Sequence, residues 1–153
     1  MISVGDTVQD FTLQDTMGNN LELSSQIKDG KGLLLFFPLA FSSVCTEEMR
    51  HFRNNMKLYK SLNANILAIS VDSFFTLREF KRTNNFQFPF GSDFNKIVSR
   101  QFGILDEDYY GLKGVSKRSV FVVNQNMVVE YAEVLEDSGS LPDFRAIQKV
   151  LAE

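Results

Sequence analysis

The segment Leu33-Leu34-Leu35-Phe36-Phe37-Pro38-Leu39-Ala40-Phe41-Ser42-Ser43-Val44-Cys45-Thr46-Glu47-Glu48-Met49-Arg50 changes its hydrophobic period partway along. Leu33 to Phe37 is a continuous apolar run of strand length. Such a run suits a strand buried on both faces, as in the middle of a parallel sheet. Pro38 stops it, because proline has no N–H to give a ladder. Between residues 46 and 62, apolar side chains recur at Met49, Phe52, Met56, Tyr59 and Leu62. That spacing marks one face of a helix. Cys45 therefore stands at a strand-to-helix junction.

The same reading extends to both sides. Val8 to Leu23 predicts a small hairpin, with Phe11-Thr12-Leu13 and Leu21-Glu22-Leu23 as strands and Met17-Gly18-Asn19-Asn20 as the turn. Asn65 to Val71 is a second buried strand, and residues 74–84 and 93–102 read as helices. Ser119 to Val123 and Met127 to Val134 are strands joined at Asn124-Gln125-Asn126. The last helix opens at Ser140-Leu141-Pro142-Asp143, with Pro142 inside its first turn, and shows Phe144, Ile147 and Leu151 on one face. A βαβ unit followed by a ββα unit predicts an α/β architecture: a central mixed sheet flanked by helices, with an N-terminal β-hairpin extension. This is also the element order of a thioredoxin-like fold. Other small α/β sandwiches share it, and fold alone does not give function.

Residues 1–153 read as one domain, long enough to bury about 69% of its unfolded surface. The charges, 16 basic and 19 acidic, are mixed along the chain, so no nucleic-acid partner is expected. Leu33 to Phe41 is the longest apolar run and is too short to span a membrane. The start, Met1-Ile2-Ser3-Val4-Gly5-Asp6, lacks the basic and apolar regions of a secretory signal, so a cytoplasmic location is expected. One cysteine and one histidine make neither an internal disulfide nor a Cys/His zinc cluster, and no metal or cofactor is expected. Asp106-Glu107-Asp108 reads as a solvated loop, and Gly111-Leu112-Lys113-Gly114 lacks the spacing of a phosphate loop.

Any thiol chemistry belongs to Cys45. A helix N-terminus offers unpaired N–H groups and a partial positive charge, which favour a thiolate, the nucleophilic form. Glu47 and Glu48 oppose that charge, so a cation must come from elsewhere in the fold. Cys45 also shares a face with Met49, Phe52 and Met56, so an inert core cysteine is the alternative. His51, six residues on, points away from Cys45 and is read as structural or exposed.

Pro38, Ser42, Cys45 and Glu48 stand at the spacings of Pro-x-x-x-Thr/Ser-x-x-Cys with a Glu three residues on. This resembles the active-site motif of the peroxiredoxins, thiol peroxidases with a thioredoxin-like fold. Arg118, in Lys117-Arg118-Ser119-Val120-Phe121, resembles the arginine that the family places before a late strand. Val4-Gly5-Asp6 with Asp10-Phe11-Thr12-Leu13 resembles its opening, and Ile69-Ser70-Val71-Asp72 its second core strand. Ser42 replaces the commoner Thr, while Gln9 and Ser43 replace prolines. The wording is most like the short alkyl hydroperoxide reductase E-like and bacterioferritin-comigratory (PrxQ) subgroups. Many PrxQ members have a second cysteine where Arg50 stands here.

The resemblance implies that Cys45 thiolate attacks hydrogen peroxide or an organic hydroperoxide and becomes a sulfenic acid. Arg118 would favour the thiolate and stabilise the leaving oxygen. Ser42 would donate to or accept from the peroxide oxygens, and Pro38 would exclude water. Glu48 would orient an arginine. With no second cysteine, a one-cysteine cycle is expected, reduced by an external thiol: a small molecule, or a protein such as thioredoxin or glutaredoxin. A homodimer is the expected assembly. Two alternatives stand beside this reading. One is a peroxide sensor or chaperone-like binding protein on the same fold. The other is a thioredoxin-type oxidoreductase, disfavoured because Glu48 occupies the second cysteine position of Cys-x-x-Cys.

Overall fold

The apolar run lies near the centre of a seven-stranded sheet. A computed structural model describes Met1–Glu153. Its strands are β1 (Thr12–Gln14), β2 (Asn20–Glu22), β3 (Lys31–Phe36), β4 (Ala64–Ser70), β5 (Phe90–Ser92), β6 (Leu105–Asp106), β7 (Val115–Ser116), β8 (Ser119–Val123) and β9 (Val129–Val134). The helices are α1 (Leu23–Gln26), α2 (Ser43–Asn54), α3 (Met56–Ser61), α4 (Phe74–Asn84), α5 (Ile97–Phe102) and α6 (Phe144–Leu151). The sheet order is β2-β1-β5-β4-β3-β8-β9. β3 pairs parallel with β4 and antiparallel with β8, so the sheet is mixed.

Burial on both faces explains the unbroken apolar strands. Leu33 and Leu35 point into one core with Met49, Phe52, Tyr59, Phe80 and Ile147. Leu34 and Phe36 point into the other with Leu23, Val98, Phe102 and Phe121. Thus α2, α3, α4 and α6 cover one face, while α1, α5 and the side chains of the hairpin cover the opposite one. Phe37, Phe80 and Phe90 form a cluster of edge-to-face and tilted rings at the carboxyl end of β3. Aromatic pairs of this kind contribute roughly 0.5–1.5 kcal/mol each beyond area burial.

The structure corrects several boundaries. The helix expected over 46–62 divides at Asn55, whose side-chain amide and backbone N–H both donate to the His51 carbonyl. These bonds close α2, and the chain restarts as α3. The helix expected over 93–102 begins only at Ile97. Before it, Lys96 is left-handed, and the buried Asp93 carboxylate accepts the Val98 and Ser99 N–H groups. Pro142 lies outside the last helix, because Asp143 is its N-cap and accepts from Ala146 N–H. The hairpin's second strand ends at Glu22, and Leu23 opens α1. The strand expected from Met127 begins at Val129, since Met127 has a positive φ in the turn. Sequence reading passes over β5 and the β6–β7 ladder: three and two residues leave no alternation to detect.

Candidate active site

Register places the arginine. Phe36 of β3 pairs with Ser119 of β8, so the antiparallel run brings Arg118 level with Phe37, where β3 gives way to Pro38. The same junction starts α2, with Ser42 in extended backbone at the N-cap and Cys45 in the first turn. A strand end, a helix start and an incoming cation therefore meet.

The three groups form one bonded unit. Arg118 Nη2 donates to Cys45 Sγ at 3.2 Å, and Nη1 donates to Glu48 Oε1 at 2.7 Å. Nε and Nη2 also donate to the Ser138 carbonyl, at 3.3 and 3.1 Å. Cys45 and Glu48 have no exposed surface, and Arg118 keeps 1%. Burial works against the guanidinium charge, but Glu48 and Cys45 outweigh it and hold Arg118 above its ordinary pKa. The cation required by the two glutamates is thus Arg118, the residue just before β8.

The structure distinguishes Glu47 from Glu48. Glu47 is exposed. Glu48 shares the buried face of α2 with Cys45, Met49 and Phe52. Its Oε2 has no hydrogen-bond partner. Burial raises the carboxyl to about 7, against the pull of Arg118 and with a smaller push from Glu133. The unpartnered oxygen accounts for the direction: one carboxylate oxygen is desolvated without any donor in return.

Ser42 sits at the mouth of the site. Its Oγ donates to the Leu39 carbonyl at 2.7 Å. That bond uses the hydroxyl's only proton, so Ser42 is left with acceptor capacity towards a ligand. This narrows the donor-or-acceptor role expected from sequence. Pro38 is buried behind it. Phe41 is left-handed at φ 69, a conformation that costs a bulky residue about 1–2 kcal/mol. Its ring packs 5.2 Å from Phe80.

A cleft of about 200 Å³ reaches Ser42 and Arg118, with Val44, Tyr109, Tyr110 and Ser138 also in its wall, while Cys45 and Glu48 lie buried behind it. A larger one, about 450 Å³, runs along residues 9–14 and 92–101 and reaches none of Cys45, Glu48 and Arg118. His51 lies elsewhere: it bonds Tyr59 Oη at 2.9 Å and stacks on Phe144 at 3.6 Å, and burial lowers its pKa. Asp106 and Asp108 bond N–H groups of their own loop.

Sequence reading missed the Ser138 carbonyl, Tyr109 and Tyr110. A backbone acceptor leaves no residue signature. The tyrosines lie in the loop between β6 and β7 and line the cleft beside Ser42 and Arg118.

The chain is similar to proteins already known. The AhpC/TSA family model matches residues 4–132. Alkyl hydroperoxide reductase E of Mycobacterium tuberculosis is 32% identical over 154 residues, covering 99% of this chain and 97% of that one. Among solved structures, the peroxidoxin BcpB from Mycobacterium tuberculosis superposes with a TM-score of 0.87 at 33% identity, covering 99% and 96% of the two chains. PrxQ of Xylella fastidiosa superposes at 0.86 with 22% identity, covering 99% and 96%, a likeness of fold.

Proposed function

The chain belongs to the AhpC/TSA family, the peroxiredoxins, and on that premise we propose that Cys45 alone runs its peroxidase cycle. Membership makes it a thiol peroxidase of thioredoxin-like fold. The finer reading rests on one observation: the only cysteine in the chain is buried against the guanidinium of Arg118.

Cys45 thiolate attacks the terminal peroxide oxygen, an S–O bond forms and the O–O bond breaks. The other oxygen leaves as water or an alcohol after taking a proton, and sulfur is oxidised to the sulfenic acid. Arg118 stabilises the negative charge on sulfur and then the charge that develops on the leaving oxygen. Ser42 accepts the peroxide O–H and orients it. Pro38 and the phenylalanine cluster keep water from the site, which strengthens these contacts. An external thiol, small or protein-borne, then attacks the sulfenic sulfur and expels water. A second thiol releases Cys45 from the mixed disulfide.

One equivalent of peroxide, added without reductant, is expected to give one dimedone-trapped sulfenic acid per chain, on Cys45, and no disulfide-linked species. Loss of the thiol into a chain-to-chain disulfide would overturn the one-cysteine cycle. We place the protein in a reducing, cytoplasmic setting as a homodimer. The exposed Phe41, Phe75, Phe94 and Ile97 at the carboxyl end of the sheet support self-association, and a dimer mass in sedimentation is the expected result.

A further inference from the structure

Residues 38–42 are neither strand nor helix, yet they must hold Ser42 at the mouth of the site and Phe41 in a left-handed conformation. The turn is braced internally by Ser42 Oγ on the Leu39 carbonyl and through Phe41 on Phe80. Its hydrogen bond to the end of the sheet is made by Ala40, whose N–H donates to Asp72 Oδ2 at 2.8 Å.

Asp72 is itself tightly fixed just beyond β4. The same Oδ2 accepts Ser70 Oγ–H at 2.6 Å, and Asp72 N–H bonds Ser70 Oγ at 3.2 Å. Its carbonyl accepts Ser92 Oγ–H, from the last residue of β5, at 2.6 Å. Two buried serines on adjacent parallel strands therefore set the position of one carboxylate, and that carboxylate sets the turn. Burial raises the Asp72 carboxyl, while the bonds from Ser70 and Ala40 favour its charged form.

We propose that Asp72 is a positioning residue for the peroxide reaction: through the Ala40 N–H it holds the 38–42 turn in the shape that presents the Ser42 oxygen to the substrate. The proposal rests on the reading of Cys45 as the peroxide-reacting thiol. Asp72 does not touch the substrate. It acts through a turn whose strained residue would relax once the tether is cut. A displacement near 1 Å at a reacting group costs about a hundredfold in rate.

The test compares wild type, Asp72→Ala and Asp72→Asn. Two rates are measured on each: oxidation by hydrogen peroxide in stopped flow, and alkylation of Cys45 by iodoacetamide, which needs no peroxide-orienting group. Asp72→Ala is expected to lose at least about tenfold in peroxide rate. Its alkylation rate stays at or above that of wild type. Asp72→Asn keeps an acceptor oxygen for both donors and is expected to stay within about threefold of wild type. Equal peroxide rates in Asp72→Ala and wild type would overturn the proposal, as would a parallel fall in both rates. Should Asp72→Ala not fold, Ser70→Ala takes its place. It removes one of the two bonds that fix Oδ2, and a several-fold loss of peroxide rate with alkylation retained is expected. No loss there would equally overturn it. A wild-type peroxide rate no faster than that of a free thiol would instead sink the reading of Cys45 itself, so the two failures are distinct.

Discussion

Arg118→Met is expected to slow oxidation of Cys45 by hydrogen peroxide by about two to three orders of magnitude, the usual cost of removing one preorganised donor from a developing charge. The side chain is close in volume, so packing around β8 should survive. What is lost is the Nη2 contact to Sγ at 3.2 Å and the charge that serves the leaving oxygen. Arg118→Lys should recover only part of the rate. One ammonium cannot reproduce the planar fork that meets Cys45, Glu48 and the Ser138 carbonyl together. The same Met variant should also lose stability, since breaking a buried ion pair from one side commonly costs about 3–5 kcal/mol. Glu48 softens that loss by taking a proton, because its carboxyl already lies at about 7 with Arg118 present and rises further without it. The destabilisation should therefore be small at about pH 6 and grow towards about pH 9. Stopped flow reads the first effect and urea unfolding the second. An unchanged oxidation rate would remove Arg118 from the chemistry.

Glu48→Gln should leave its mark on the pH dependence of stability. The folded carboxyl stands at about 7, and its ordinary value is 4.5. Between those values the folded chain holds a proton that the unfolded chain has released, so wild-type stability falls as pH rises through the window. The contribution is fully present below the lower value and lost above the upper one, at most about 3 kcal/mol in all. Glutamine does not titrate. The stability of Glu48→Gln relative to wild type should therefore climb across this window and level off above it. Peroxide oxidation should fall about tenfold, because a neutral acceptor holds Arg118 about half as strongly as a carboxylate. A difference in stability that stays constant with pH would mean that Glu48 titrates as an ordinary carboxylate.

Much of this was legible in the sequence where burial is two-sided or a cap is strong. Leu33 to Phe36 and Val120 to Val123 are apolar throughout because both sheet faces are covered. The helix over 74–84 ended where expected because Ser73 caps its start through Thr76 N–H and Asn85 turns left-handed at its end. The register of β3 on β8, which with the start of α2 brings residues 45 and 118 together, was not legible. The choice between Glu47 and Glu48 did have a signal: Cys45, Glu48, Met49 and Phe52 follow the three-and-four spacing of one buried face. Ser138 left none, since it acts through its backbone; Asp72 stood in a stretch that resembles the family's second core strand, but nothing pointed to its partner Ala40, 32 positions away.

That Cys45 is an activated, peroxide-reducing thiol is checked by the second-order rate at which reduced protein consumes hydrogen peroxide near neutral pH, wild type beside Cys45→Ser. Competition with a haem peroxidase gives the readout, since the chain has no tryptophan to report by fluorescence. A wild-type rate orders of magnitude above that of a free thiol is expected, with no such rate in Cys45→Ser. A wild-type rate no faster than free thiol, with hydrogen peroxide and with an organic hydroperoxide alike, would contradict it.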